Sequence, residues 1–167
     1  MGAFERVFEI VMKKYPGYTV DEICEAEGIE IRRDEMGKGY FGLYTNLYGR
    51  AVINVRPDLS LQEAAEVKSH ELYHHVCLLL VDNPVGYNLA TERRCASPFL
   101  SFYMRKEERE ADIFAAYFLC PDVSDCETYY DIMRKYNRSK PVAKLRMVAE
   151  KLRLYGGLEN DVSKKER

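Results

Sequence analysis

Ser69-His70-Glu71-Leu72-Tyr73-His74-His75 is the stretch on which the reading of this chain turns. It spells His-Glu-x-x-His inside a segment patterned as one buried helix. On a helix, positions 70 and 74 lie one turn apart on nearly one bearing, so two imidazoles can ligate a single metal ion from one face. Glu71 sits beside them, placed to hold a water and take its proton, the general-base part of metal-assisted hydrolysis. All three histidines of the chain fall within these six positions.

The surroundings strengthen the motif. Ser60-Leu61-Gln62-Glu63 is a capping-box pattern that starts a helix and puts the motif in its third turn. Val76-Cys77-Leu78-Leu79-Leu80-Val81 predicts that the far end is apolar all round and buried. Two histidines and a glutamate inside such a helix are costly to bury unless something satisfies their polar atoms, and a metal does so.

The chain has 167 residues and a net charge of -2, which fits one domain and gives no overall field for nucleic acid or membrane. The first residues, Met1-Gly2-Ala3-Phe4-Glu5-Arg6, carry charges and no long apolar run, so a cytoplasmic protein without a secretory signal or membrane span is expected. Five cysteines without a C-x-x-C pair read as reduced, packed thiols rather than a disulfide framework.

Upstream of the motif, Phe4, Val7, Phe8, Val11 and Tyr15 mark an amphipathic helix stopped by Pro16-Gly17. Thr19-Val20-Asp21-Glu22 opens a second, short helix, with Gly28 as its end. Ile29-Glu30-Ile31-Arg32 alternates as a half-buried strand, and residues 40–44 and 50–55 read as two more, giving a small antiparallel sheet that runs into the motif helix. A peptide substrate is held most simply as an added strand, so Val52, Ile53 and Asn54 become the candidate substrate-binding edge, with an ordinary core strand as the alternative. Residues 82–104 read as a long loop able to hide a short helix, with Phe99, Leu100, Phe102 and Tyr103 read first as its anchor and otherwise as the lining of a substrate pocket.

A catalytic zinc site needs a third protein ligand and one open position. Residues 105–121 read as an acidic-headed helix ended by Pro121 that can supply it. Glu108, Asp112 and Ala115 share a face, so Glu108 is a candidate ligand and Asp112 a candidate acceptor for the second ring N–H of a ligand histidine. Glu110 is the rival ligand, on a face shared with the bulkier Phe114.

Three blocks together resemble the ImmA/IrrE family of zinc-dependent metallopeptidases: Gly42-Leu43-Tyr44 through Ala51-Val52-Ile53-Asn54, then Ser69-His70-Glu71-Leu72-Tyr73-His74, then Glu108-Arg109-Glu110-Ala111-Asp112-Ile113-Phe114-Ala115-Ala116-Tyr117-Phe118-Leu119-Cys120-Pro121. The resemblance implies Zn2+ held by His70, His74 and Glu108, with Glu71 as catalytic base. It also implies a protein substrate that is a specific regulator, such as a helix-turn-helix repressor of a mobile element. Tyr73 stands where the family usually has glycine, Asp112 where it has asparagine and Cys120 where it has methionine.

In the C-terminal part, Ser124-Asp125-Cys126-Glu127 reads as a capping box opening a helix to about Tyr136. Ser139 caps another, with an apolar stripe of Val142, Leu145, Val148 or Ala149, and Leu152, before Gly156-Gly157 ends it. Arg134, Lys135, Arg138, Lys140, Lys144, Arg146, Lys151 and Arg153 make this pair basic, which reads first as a solvated face and otherwise as a docking surface. The expected architecture is an α+β, zincin-like metallopeptidase domain: a core over residues 1–121, a C-terminal helical pair over 122–157 packed on it, and a polar tail over 158–167. The expected function is a zinc-dependent endopeptidase with no direct nucleic-acid contact. The alternative is a non-proteolytic, metal-stabilised regulator that binds a transcription factor or DNA.

Overall fold

A computed structural model describes residues 3–80, 93–96 and 106–162. Phe99, Leu100, Phe102, Tyr103 and Val81 lie outside the described residues. The fold is α+β, in the order α1 (Ala3–Lys14), α2 (Val20–Ala26), β1 (Glu30–Arg33), β2 (Tyr40–Leu47), β3 (Arg50–Val55), α3 (Leu61–Leu80), β4 (Arg93–Ala96), α4 (Lys106–Leu119), α5 (Tyr129–Tyr136) and α6 (Lys140–Val162). No helix among the described residues is long and apolar enough to cross a membrane.

The capping boxes predicted at α2 and α3 form as read. Thr19 and Glu22 exchange their bonds, and Ser60 Oγ accepts from the Glu63 amide at 3.2 Å while the Ser60 amide donates to Glu63 at 2.9 Å. The box predicted at Ser124 does not form. Ser124 instead donates to Asp122 in a turn, and α5 is opened by the box of Thr128 and Asp131 one turn later.

The sheet has the order β1-β3-β2-β4 and is mixed rather than antiparallel. β2 and β3 form a hairpin through Tyr48-Gly49, both at positive φ (52° and 80°), the sense of a two-residue turn whose twist matches the strands. β1 lies on the other side of β3 and runs parallel to it, Glu30 opposite Val52 and Arg33 opposite Val55. Both edges of β3 are therefore paired, and Val52, Ile53 and Asn54 are central, not an open edge. The expectation of a substrate edge there is overturned because β1 occupies the position a substrate would take. β1 is itself exposed along its length rather than half-buried, as an outer strand carrying charges can be. Among the described residues β4 is the outer strand beside β2, where the sequence suggested only a loop or short helix; the register of that pairing shifts between Tyr40 and Gly42.

β2 lies along α3. Its alternate residues Gly42 and Tyr44 are buried toward the helix face carrying Val67, Glu71 and His75, since two residues of strand and four of helix both advance about 6–7 Å. A Cβ on Gly42 would lie 2.2 Å from Val67 Cγ1 and 3.1 Å from Glu71 Oε1, so the strand reaches α3 only because position 42 carries no side chain. Tyr44 Oη lies 2.9 Å from His75 Nδ1, within hydrogen-bonding distance, and accepts from Asn46 Nδ2 at 3.3 Å. The main core joins Val7, Val11, Ile23, Ile53, Val55, Leu72, Tyr73 and Phe114. The far end of α3 is less buried than its apolar run implied, with Leu79 58% exposed.

A second cluster, Ala116, Cys120, Ile132, Val142 and Ala143, packs α5 and α6 on α4. The α6 stripe read from sequence holds at its start, where Val142 is buried and Leu145 packs against the cluster, and at position 149 rather than 148: Ala149 is half-buried but Val148 and Leu152 are exposed, and the buried face includes Ala143 and Arg146. Arg146 is buried there. It donates to the carbonyls of Cys120 and Pro121 at 2.9 and 3.4 Å and to Glu150 at 2.6 Å, and lies 3.8 Å from the Tyr117 ring centre. It thus satisfies carbonyls at the end of α4, a structural role for a residue that the sequence placed on a basic surface. α6 also continues through Gly156-Gly157 to Val162, because glycine permits a helix to end without compelling it.

Candidate metal centre

α3 presents His70 and His74 on the face turned to α4, and Glu66 continues the same row one turn earlier. Glu66 is buried and accepts from the amide and hydroxyl of Ser139 at 2.8 and 2.7 Å, fastening the start of α6 to the helix that carries the histidines. Opposite them, α4 presents Glu108 and, one turn on, Asp112. This is the face predicted from the spacing.

The four groups meet. His74 Nε2 lies 3.2 Å from His70 Nε2, Glu108 Oε2 3.3 Å from His70 Nε2, and Glu108 Oε1 3.5 Å from His74 Nε2. Ligand atoms about 2.0–2.1 Å from a tetrahedral ion stand about 3.3–3.4 Å from one another, so the three edges match the base of such a site. His70, His74 and Glu108 are a cluster that could hold a metal ion.

The hydrogen bonding orients the ring nitrogens accordingly. His70 Nδ1 lies 2.8 Å from Asp112 Oδ1, and as a carboxylate Asp112 only accepts, so Nδ1 carries the proton and a neutral His70 directs the lone pair of Nε2 at the cluster. With no ion between them and the rings protonated, burial raises the Glu108 carboxyl, but hydrogen bonds and charge attraction from His70 and His74 outweigh it and hold the group well below the ordinary carboxylate range. Asp112 moves the other way: burial raises it, and the single bond from His70 does not offset that and the nearby charge of Glu108. A half-buried carboxylate facing two buried imidazoles is a donor set that suits a cation.

Glu71 is fully buried on the flank of α3 toward β2, its Oε1 close against Gly42, between the strand and the histidine row. Glu110, the rival ligand in the sequence reading, is engaged elsewhere: it accepts from Tyr73 Oη at 2.8 Å. Tyr73 does not crowd Glu108. Its ring lies on the core side of α3, edge-on to His74 and against Phe114. What the sequence missed is β4. Its register sets Cys95 opposite Gly42, so the outer strand of this side of the sheet runs at the level of Glu71, whereas Val52, Ile53 and Asn54 lie one strand further in.

The Asp112 bond gives a quantitative expectation. Asp112→Ala should weaken metal binding about 10–100-fold without removing it, because the ring of His70 loses its orienting acceptor while all three ligand atoms remain. Competition against a chromophoric chelator measures this, and an unchanged affinity would remove Asp112 from the site. No family model and no curated protein matches the chain.

Proposed function

We propose that the protein is a zinc-dependent endopeptidase of the ImmA/IrrE type, with His70, His74 and Glu108 as ligands and Glu71 as the catalytic base. The observation that carries this is the closed triangle of ligand atoms with Glu71 packed beside it, since a purely structural site has no use for that carboxylate. Zinc bound there would polarise the scissile carbonyl and lower the pKa of water. Glu71 takes the water's proton and delivers it to the leaving amine; its fully buried setting favours the proton-accepting role over simple solvation. Asp112 fixes the tautomer of His70, and Gly42 lets β2 come close enough to bound Glu71 on its other side. The substrate chain adds as a strand along β4, the outer strand at the level of Glu71, which replaces the β3 edge expected from sequence.

The resemblance points to a helix-turn-helix regulator as substrate. The test is to mix the zinc-loaded protein, and its Glu71→Gln variant, with the repressor encoded nearest its gene and to look for new termini by mass spectrometry. Cleavage by the wild type alone supports the reading. Zinc uptake without any Glu71-dependent cleavage favours the non-proteolytic regulator instead, for which Lys140 and Lys144, 5.8 and 5.2 Å from the Tyr129 ring centre on the α5–α6 face, offer a basic and aromatic surface.

A further inference from the structure

We infer that Tyr73 is a positioning residue for the metal site: its ring sets the aspect of His74, and its hydroxyl, through Glu110, fixes the rotation of α4 and so the approach of Glu108. The inference rests on the metal-site reading and adds to it a residue that is neither ligand nor base.

Tyr73 is 1% exposed, one residue from His74 and one turn from His70. Its ring centre is 5.8 Å from that of His74 at an interplanar angle of 77°, and 5.7 Å from that of Phe114. Edge-to-face packing of this kind has a preferred geometry and resists rotation of the imidazole. The hydroxyl crosses to α4, donating to Glu110 Oε2 at 2.8 Å.

The position of Glu110 on α4 gives the bond its consequence. Residues 108 and 110 project about 200° apart around a helix axis, whereas 108 and 112 project on nearly one bearing. Glu108 and Asp112 hold the face of α4 turned to the histidines, while Phe114 packs on Phe8 of α1 and Tyr117 lies under Arg146 of α6. The Tyr73–Glu110 bond adds a directional tie between α3, beside the ligand histidines, and a second side of α4. A site of this kind needs its ligands within about 0.5 Å and 10–20° of the working geometry, and a small roll of α4 carries the end of Glu108 out of that range. Tyr73 therefore links the ring of one ligand to the backbone attitude of another.

The experiment uses the whole chain, stripped of metal and titrated with Zn2+ and separately with Co2+, whose visible absorption reports ligand geometry. Tyr73→Phe, which keeps the ring, should raise the zinc dissociation constant about tenfold and shift or weaken the Co2+ band. Glu110→Leu should reproduce both effects, and the double variant should be no worse than either single. Glu110→Gln keeps an acceptor and should stay near wild type. A Tyr73→Phe protein with a lower unfolding temperature but an unchanged zinc affinity and Co2+ spectrum would reduce the bond to ordinary stability and overturn the inference. A folded wild type that takes up neither ion overturns the metal-site reading beneath it, an outcome distinct from a difference between the variants.

Discussion

Gly42→Ala is expected to destabilise the protein by about 1–3 kcal/mol, a large effect for one carbon, because it overpacks a contact with no room to give. The added Cβ would lie 2.2 Å from Val67 Cγ1. Val67 is buried in the middle of α3, where a β-branched side chain has one strongly preferred rotamer, so it cannot turn aside cheaply. Glu71 Oε1 at 3.1 Å and the Asn54 carbonyl at 3.5 Å close the remaining directions. The strand must lift from the helix. Chemical denaturation of the metal-free protein measures the loss, and the Val67→Ala background supplies a check: the added methyl should cost less there, giving non-additivity between two residues in contact. Full additivity would mean that β2 does not approach α3 at this point. Because Glu71 borders the same gap, Gly42→Ala should also reduce any activity of the folded fraction.

Glu71→Gln is expected to lower kcat/KM about 100- to 10,000-fold, the range general-base catalysis supplies, while zinc affinity changes little. The amide keeps the size of the side chain and its place beside Gly42 but cannot take a proton. Ligand atoms of His70, His74 and Glu108 are untouched, so metal binding should persist. Equal losses of affinity and turnover would instead make Glu71 part of the coordination sphere. Turnover unaffected by the substitution would remove it from the chemistry altogether.

The sequence carried the site further than it carried the sheet, for physical reasons that particular residues show. His70 and His74, and Glu108 and Asp112, are pairs at i and i+4, and a helix brings such pairs onto one face wherever it packs. Their meeting then required only that α3 and α4 be neighbours, which the small residues Ala111 and Ala115, both buried, allow. Strand pairing has no such local code. Ile29-Glu30-Ile31-Arg32 announces a strand but neither its partner nor its direction, and β1 pairs parallel with β3 across a hairpin already formed. Arg93-Arg94-Cys95-Ala96 has no alternating apolar pattern, so β4 is visible only through its backbone bonds to β2. The choice between Glu108 and Glu110 stayed open until the partner of Tyr73 was in view. Arg146 was misread because a charged residue in a basic run looks solvated, while here its guanidinium is held by carbonyls at the end of α4.

The most direct test of the central claim is calorimetric titration of the chelator-stripped protein with Zn2+, beside His74→Ala with its fold verified by circular dichroism. One zinc per wild-type chain is expected, with an affinity weakened by more than about 100-fold in the variant, since loss of a ligand should cost more than loss of the Asp112 bond that orients one. A folded wild type that binds no zinc, or a His74→Ala protein that binds it as tightly, would contradict the metal centre described here.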